Sequence, residues 1–198
     1  MNKKSLEDIK ELLIVVDMIN GFTKEGAMAS SNILHIIPEI KDIAHEFSID
    51  SNKGIMFIKD VHDDNSLEFK RYPIHCCRNT SESEVVSELK EYEKMSLVHE
   101  KNSTSAIFSK GFLENINQMK KLEKVVVTGC CTDICIINLA VPLRNYFDEH
   151  NKDIEIIVPE NAVETFDSLS HSKDKWNSMA FEFMSAGGIK LVKRYGRR

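Results

Sequence analysis

Short apolar runs alternate with longer amphipathic stretches along most of this chain, and that alternation constrains its fold more than any other feature. Leu12–Val16, Gly54–Ile58, Val125–Thr128 and Ile154–Val158 are dominated by Val, Ile and Leu at successive positions. Runs that short and that uniformly apolar read as strands buried on both faces. Leu97–His99 predicts a further short strand and Ile189–Val192 a last one. Between them, apolar residues return at helical spacing: Ile33, Ile36, Ile37, Ile40, Ile43, Ala44 and Phe47, then within Gly111–Leu122, Asp133–Tyr146 and Ser170–Ser185. Pro38 either starts or interrupts the first of these helices, and Pro142 falls inside a later one. The order predicts an α/β fold, a three-layer α/β/α sandwich around a mostly parallel sheet of about six strands. With 198 residues and 42% hydrophobic content, the expectation is a single domain spanning 1–198.

Charge and cysteine usage narrow the function. A net charge of -5 without a basic face argues against a nucleic-acid partner. No apolar run approaches the roughly 20 residues that span a bilayer, and Met1–Lys10 is charged, unlike a signal peptide. A cytoplasmic protein is expected. Its cysteines agree: Cys76-Cys77, Cys130-Cys131 and Cys135 are odd in number and poorly spaced for bridges, so free thiols are predicted. Lys193, Arg194, Arg197 and Arg198 read as a solvated basic tail.

In parallel sheets, ligands collect at the carboxyl ends of strands, and four candidate groups fall there. Asp17 ends the first strand, Asp60 and His62 follow the second, Lys101 follows the third, and Thr128–Cys135 closes the fourth. In Val125-Val-Val-Thr-Gly-Cys-Cys-Thr-Asp-Ile-Cys135 a strand runs into a glycine turn, then a helix that Thr132 or Asp133 would cap. A thiol in that first helical turn is shifted towards thiolate, with backbone N–H groups nearby for an oxyanion. The same cysteines read equally well as small buried hydrophobes. Asp60 and His62 alternate around Val61 and project to one side of an extended chain. Glu68 and His75 follow in a long polar loop, making a ligand set suited to Zn, Mn or Fe. A merely polar, His-rich loop has the same composition. His35, His45, His99, His150 and His171 show no partner spacing and read as structural or exposed.

Taken together, Leu12–Phe22 (LLIVVDMINGF), Lys101–Phe108 (KNSTSAIF) and Gly129–Ile136 (GCCTDICI) resemble the three signatures of the isochorismatase-like cysteine hydrolases. Asp60-Val-His62 with Glu68-Phe-Lys-Arg-Tyr-Pro-Ile-His75 resembles the metal-binding segment of the bacterial nicotinamidase (pyrazinamidase) branch. The resemblance implies a catalytic triad of Asp17, Lys101 and Cys135, with Lys101 holding the thiolate and Asp17 shuttling the proton. It implies a cis peptide between Cys130 and Cys131, with the N–H groups of Cys131 and Cys135 as the oxyanion hole. Asp60, His62, Glu68 and His75 would bind one divalent metal, zinc first with manganese or iron next, which anchors a pyridine nitrogen. Phe22, Tyr72 and Cys131 would line the ring's pocket, while Phe108 would be a further wall or a core residue. The implied substrates are nicotinamide and pyrazinamide, hydrolysed through a cysteine thioester in pyridine-nucleotide salvage. The alternative is isochorismate, an N-carbamoyl or a ureido compound, and relatives are often homo-oligomers. The extra thiols Cys76, Cys77 and Cys130 have no assigned role.

Overall fold

Val, Ile and Leu at consecutive positions force a strand to be covered on both faces, and the computed structural model, which describes residues 5–196, shows that arrangement. The strands are β1 (Glu11–Val16), β2 (Lys53–Asp60), β3 (Leu97–Lys101), β4 (Lys124–Cys130), β5 (Glu155–Pro159), β6 (Val163–Glu164) and β7 (Lys190–Val192). All pairs are parallel, in the order β3-β2-β1-β4-β5-β7, with β6 on β4. β4 pairs with β5 through Lys124–Val126 and with β6 at Gly129 and Cys130. The two-residue β6 therefore continues the line of β5. It is a seventh strand in a sheet six strands wide, too short to leave a period in the sequence.

Four helices cover the sheet: α1 (Ile37–Ile49), α2 (Phe112–Gln118), α3 (Ile137–Glu149) and α4 (Lys173–Ala186). Alternate residues of the central strands feed two cores. Leu12, Ile14, Val16, Val125 and Val127 share one core with Phe112, Leu143, Phe147 and Met184, from α2, α3 and α4. Leu13, Val15, Phe57 and Val126 share the other with Ile40, Ala44 and Phe47 of α1. Pro38 lies in the first turn of α1, where its missing N–H costs nothing. Pro142 lies inside α3, which continues past it. The Asn138 carbonyl, which residue 142 would ordinarily bond, instead accepts the Ser105 hydroxyl at 2.7 Å. The predicted helix over Gly111–Leu122 ends sooner, at Gln118. The predicted period from Ile33 is split into a turn at Ser31–Leu34 and α1, while the short helical turns at Asn20–Thr23 and Lys90–Glu93 were not legible as periods.

All five cysteines are free. Among the described residues no helix is long and apolar enough to cross a membrane. Lys193 and Arg194 are exposed, as expected of a solvated tail, and make surface ion pairs with Glu160 and Glu39 at 2.5 and 2.9 Å. Residues 1–4 of the charged N-terminal stretch, with Arg197 and Arg198, lie outside the described residues.

Candidate active site

Four neighbouring strands end on one edge of the sheet and deliver Lys101, Asp60, Asp17 and Cys130 in spatial order. All four side chains are buried. The Lys101 Nζ stands 2.9 Å from Asp17 Oδ2 and 2.8 Å from Asp60 Oδ1. Burial alone would lower a lysine, but these two carboxylates outweigh it and hold Lys101 well above its ordinary value, as an ammonium. Burial pushes Asp17 up to about 6, although Lys101 draws it back. Asp60 is likewise opposed by burial, yet Lys101 and the imidazoles of His62 and His75 hold it well below the carboxylate range.

Cys135 reaches this group by an unusual turn. Val16 and Gly129 are opposite each other in the β1–β4 register, and a Cβ on Gly129 would lie 2.0 Å from the Val16 carbonyl oxygen. With φ at 111°, only glycine fits there. The Cys130–Cys131 peptide is cis, as the resemblance implied. A π-helical turn, Thr132–Ile136, then precedes α3, and the N–H groups of Ile134 and Ile136 both donate to the Cys131 carbonyl. The cap residue is thus Cys131, without a side-chain bond, and neither Thr132 nor Asp133 caps the helix as expected. Asp133 is engaged elsewhere: its Oδ2 meets His171 Nε2 at 2.9 Å.

Cys135 is close enough to the Asp17 carboxyl to draw it down, and beyond the Lys101 ion pair neither Asp17 carboxyl oxygen has a hydrogen-bond partner among the described residues. Burial raises Cys135 well above its ordinary value and Lys101 lowers it only in part. That direction runs against the expected thiolate, because the lysine's charge is divided between Asp17 and Asp60. Cys130 also donates its thiol, to the Asp17 carbonyl at 3.3 Å.

Beside this group Asp60, His62, Glu68 and His75 converge, all buried, with one ligand atom from each within 4.8 Å of the others. His62 Nε2 is 3.0 Å from Asp60 Oδ2 and 3.2 Å from His75 Nε2, which is itself 3.2 Å from Asp60 Oδ2. The opposite ring nitrogens face acceptors: His62 Nδ1 meets Asn102 Oδ1 at 2.7 Å, and His75 Nδ1 meets the Pro73 carbonyl at 2.7 Å. With protons on both Nδ1 atoms, both Nε2 lone pairs face a carboxylate, an arrangement that suits a cation held between them. The donor set fits a divalent metal with nitrogen and oxygen ligands. Glu68 is set in place by the Thr104 N–H, which donates to its Oε1 at 3.0 Å.

Phe22 and Tyr72 stand near this candidate ligand cluster, their rings 5.7 and 6.3 Å from that of His75. Burial first, and then the nearby Glu68, Cys135 and Cys131, raise the Tyr72 hydroxyl. Cys131 is buried beside them. Phe108 is 82% exposed, so the core-packing expectation for it is corrected. The aromatic residue that touches both ligand imidazoles is Phe69, at 5.3 and 5.8 Å, which sequence reasoning missed. Asn102 was missed too, although it directly follows Lys101, because no local spacing announces a partner 40 residues away.

The model of the isochorismatase domain matches residues 11–188, which include every one of these positions. The chain belongs to the isochorismatase family. Among relatives of this family member, Nicotinamidase 1 of Arabidopsis thaliana is 29% identical, covering 93% of this chain and 82% of that one. A pyrazinamidase of Pyrococcus horikoshii, solved in complex with zinc, superposes with a TM-score of 0.74 at 25% identity, over 92% of this chain and 98% of that one. An N-carbamoylsarcosine amidase of Thermoplasma acidophilum superposes with a TM-score of 0.77 at 21% identity, over 96% and 99%. The isochorismatase fold is therefore common to amidases of different substrates, and the side chains must decide between them.

Proposed function

We propose that this chain is a nicotinamidase, hydrolysing nicotinamide to nicotinate and ammonia through a thioester on Cys135. One observation carries the reading: a buried knot of lone-pair donors, Asp60, His62, Glu68 and His75, shares the Asp60 carboxylate with the lysine beside Asp17 and Cys135. When bound there, a divalent cation, zinc first and manganese or iron next, would offer an open position to a pyridine nitrogen and so align the ring. Isochorismate and N-carbamoyl substrates have no ring nitrogen to present. Pyrazinamide does, and is expected as a second substrate.

The residues then perform two proton-balanced steps. Asp17 takes the thiol proton as sulfur attacks the amide carbon, and the carbonyl becomes an oxyanion facing the N–H groups of Cys131 and Cys135. On collapse the C–N bond breaks, and Asp17 returns the proton to the departing nitrogen, which leaves as ammonia. Water then attacks the thioester, giving a proton to Asp17 that returns to the Cys135 sulfur as the acid is released. Lys101 keeps Asp17 and Asp60 apart in charge and is not itself a proton carrier. Phe22 and Tyr72 would bracket the ring, and Phe108 would stand at the outer rim. The five free thiols suit a reducing compartment, the cytoplasm.

Cys135→Ala tests the reading: turnover should be lost while the fold and the metal content are retained. Residual turnover well above background would sink the thioester mechanism. Wild-type protein that ignores nicotinamide and pyrazinamide but hydrolyses N-carbamoylsarcosine would keep the nucleophile and overturn the substrate.

A further inference from the structure

His171 showed no partner in the sequence, yet it is held on every side in the fold. Its ring lies between Phe166, at a centroid distance of 3.9 Å and 14° between planes, and Trp176, at 5.0 Å and 3°. Its Nδ1 faces the Phe166 carbonyl at 3.0 Å, and its Nε2 faces Asp133 Oδ2 at 2.9 Å. Both nitrogens thus point at acceptors, and both faces of the ring are covered by aromatic side chains. A short antiparallel bridge, Ser168 with His171, closes the turn behind it.

The other end of this contact is the informative one. Asp133 lies in the π-helical turn, two residues before Cys135, and is almost wholly buried. Its Oδ1 has no hydrogen-bond partner among the described residues, so Oδ2 and His171 carry its interactions. The charged groups beside the clamp are paired elsewhere: Glu164 with Lys173 and Asn177, Asp167 with the Lys173 N–H, and Asp174 with Lys173. A buried carboxylate makes a poor stabilising element, and it does not cap the helix that follows it. Its placement is better explained by what it fixes.

We propose that Asp133 and His171 form a clamp that positions the nucleophile: the stacked imidazole of His171 fixes the carboxylate of Asp133, and with it the turn that aims Cys135 at Asp17. The proposal rests on the reading of Cys135 as nucleophile. Neither residue meets the substrate, and both are positioning residues. The clamp joins the start of α4 to the turn before α3, elements 38 residues apart in the chain.

The test uses His171→Phe, which keeps an aromatic ring in the stack but removes both hydrogen bonds, and the double variant Asp133→Ala/His171→Phe. In His171→Phe, kcat on nicotinamide should fall about tenfold with KM and metal content nearly unchanged, as expected when a reacting group is misplaced by a fraction of an ångström. His171→Phe also leaves Asp133 as a buried unpaired charge, so its melting temperature should drop. Removing that charge in the double variant should restore the melting temperature without restoring kcat. The clamp is refuted if His171→Phe keeps kcat within about twofold of wild type, or if kcat recovers together with the melting temperature. Should wild type fail on nicotinamide, the substrate reading falls but the clamp is still read from Cys135 alkylation by iodoacetamide. That rate, identified against Cys135→Ala, should then fall in His171→Phe, and an unchanged rate would refute the clamp.

Discussion

Asp17 sits fully buried at the end of β1, and its environment sets the pH range in which it can work. It must be a carboxylate to take the thiol proton. Burial pushes it up to about 6, so below that value it already holds a proton and the first step stops. The profile of kcat/KM, which reports the free enzyme, should therefore fall as pH drops through about 6, by about tenfold per unit beyond. A profile flat down to pH 4 would remove Asp17 as the base. At the neighbouring cluster, His75→Ala should lower metal content and raise KM for nicotinamide about 10- to 100-fold. Alkylation of Cys135 should change little, and unchanged metal stoichiometry would contradict the ligand assignment. Asp17, Asp60 and Lys101 were legible as candidates because each ends a strand, and Cys135 because it follows a strand and a glycine turn, whereas the triad and the four-ligand assignment rested on the resemblance. Phe69, Asn102 and the Asp133–His171 pair were not legible, because their roles depend on partners brought together only by the folded sheet. Nor does the sequence show that Lys101, expected to act on Cys135, is shared by two carboxylates.

At the scale of elements, the helix that follows Cys135 is tied to the loop that follows β3 and Lys101. Pro142 cannot donate to the Asn138 carbonyl, and the Ser105 hydroxyl takes that place at 2.7 Å. Ser105→Ala should cost about 1–3 kcal/mol in urea unfolding, because it leaves a partly buried carbonyl without a donor. In a Pro142→Ala background the helix regains its own N–H donor, so the same substitution should cost less. Strictly additive losses would show that the two sites are uncoupled. Strands were legible because a doubly covered strand must be apolar throughout, whereas the π-helical turn and the two-residue β6 carry no period. The expected cap at Thr132 or Asp133 followed the ordinary grammar of helix starts, which this turn breaks at Cys131.

The whole molecule places its chemistry where four adjacent parallel strands end, β3, β2, β1 and β4, so that a lysine, two carboxylates and a thiol meet without any loop having to reach across the sheet. The long polar segment after β2 adds the remaining metal ligands from one side, and the turn beyond β6 braces the nucleophile from the other. The ligand cluster and the catalytic group meet at the shared Asp60 carboxylate. The most direct test is ammonia release from nicotinamide by the purified protein, before chelation, after chelation and after return of zinc, manganese or iron. Turnover that falls on chelation and returns with metal is the predicted result. Turnover indifferent to chelation, in protein shown to have lost its metal, would contradict the anchoring role of Asp60, His62, Glu68 and His75, and no turnover in any metal state would contradict the nicotinamidase reading itself.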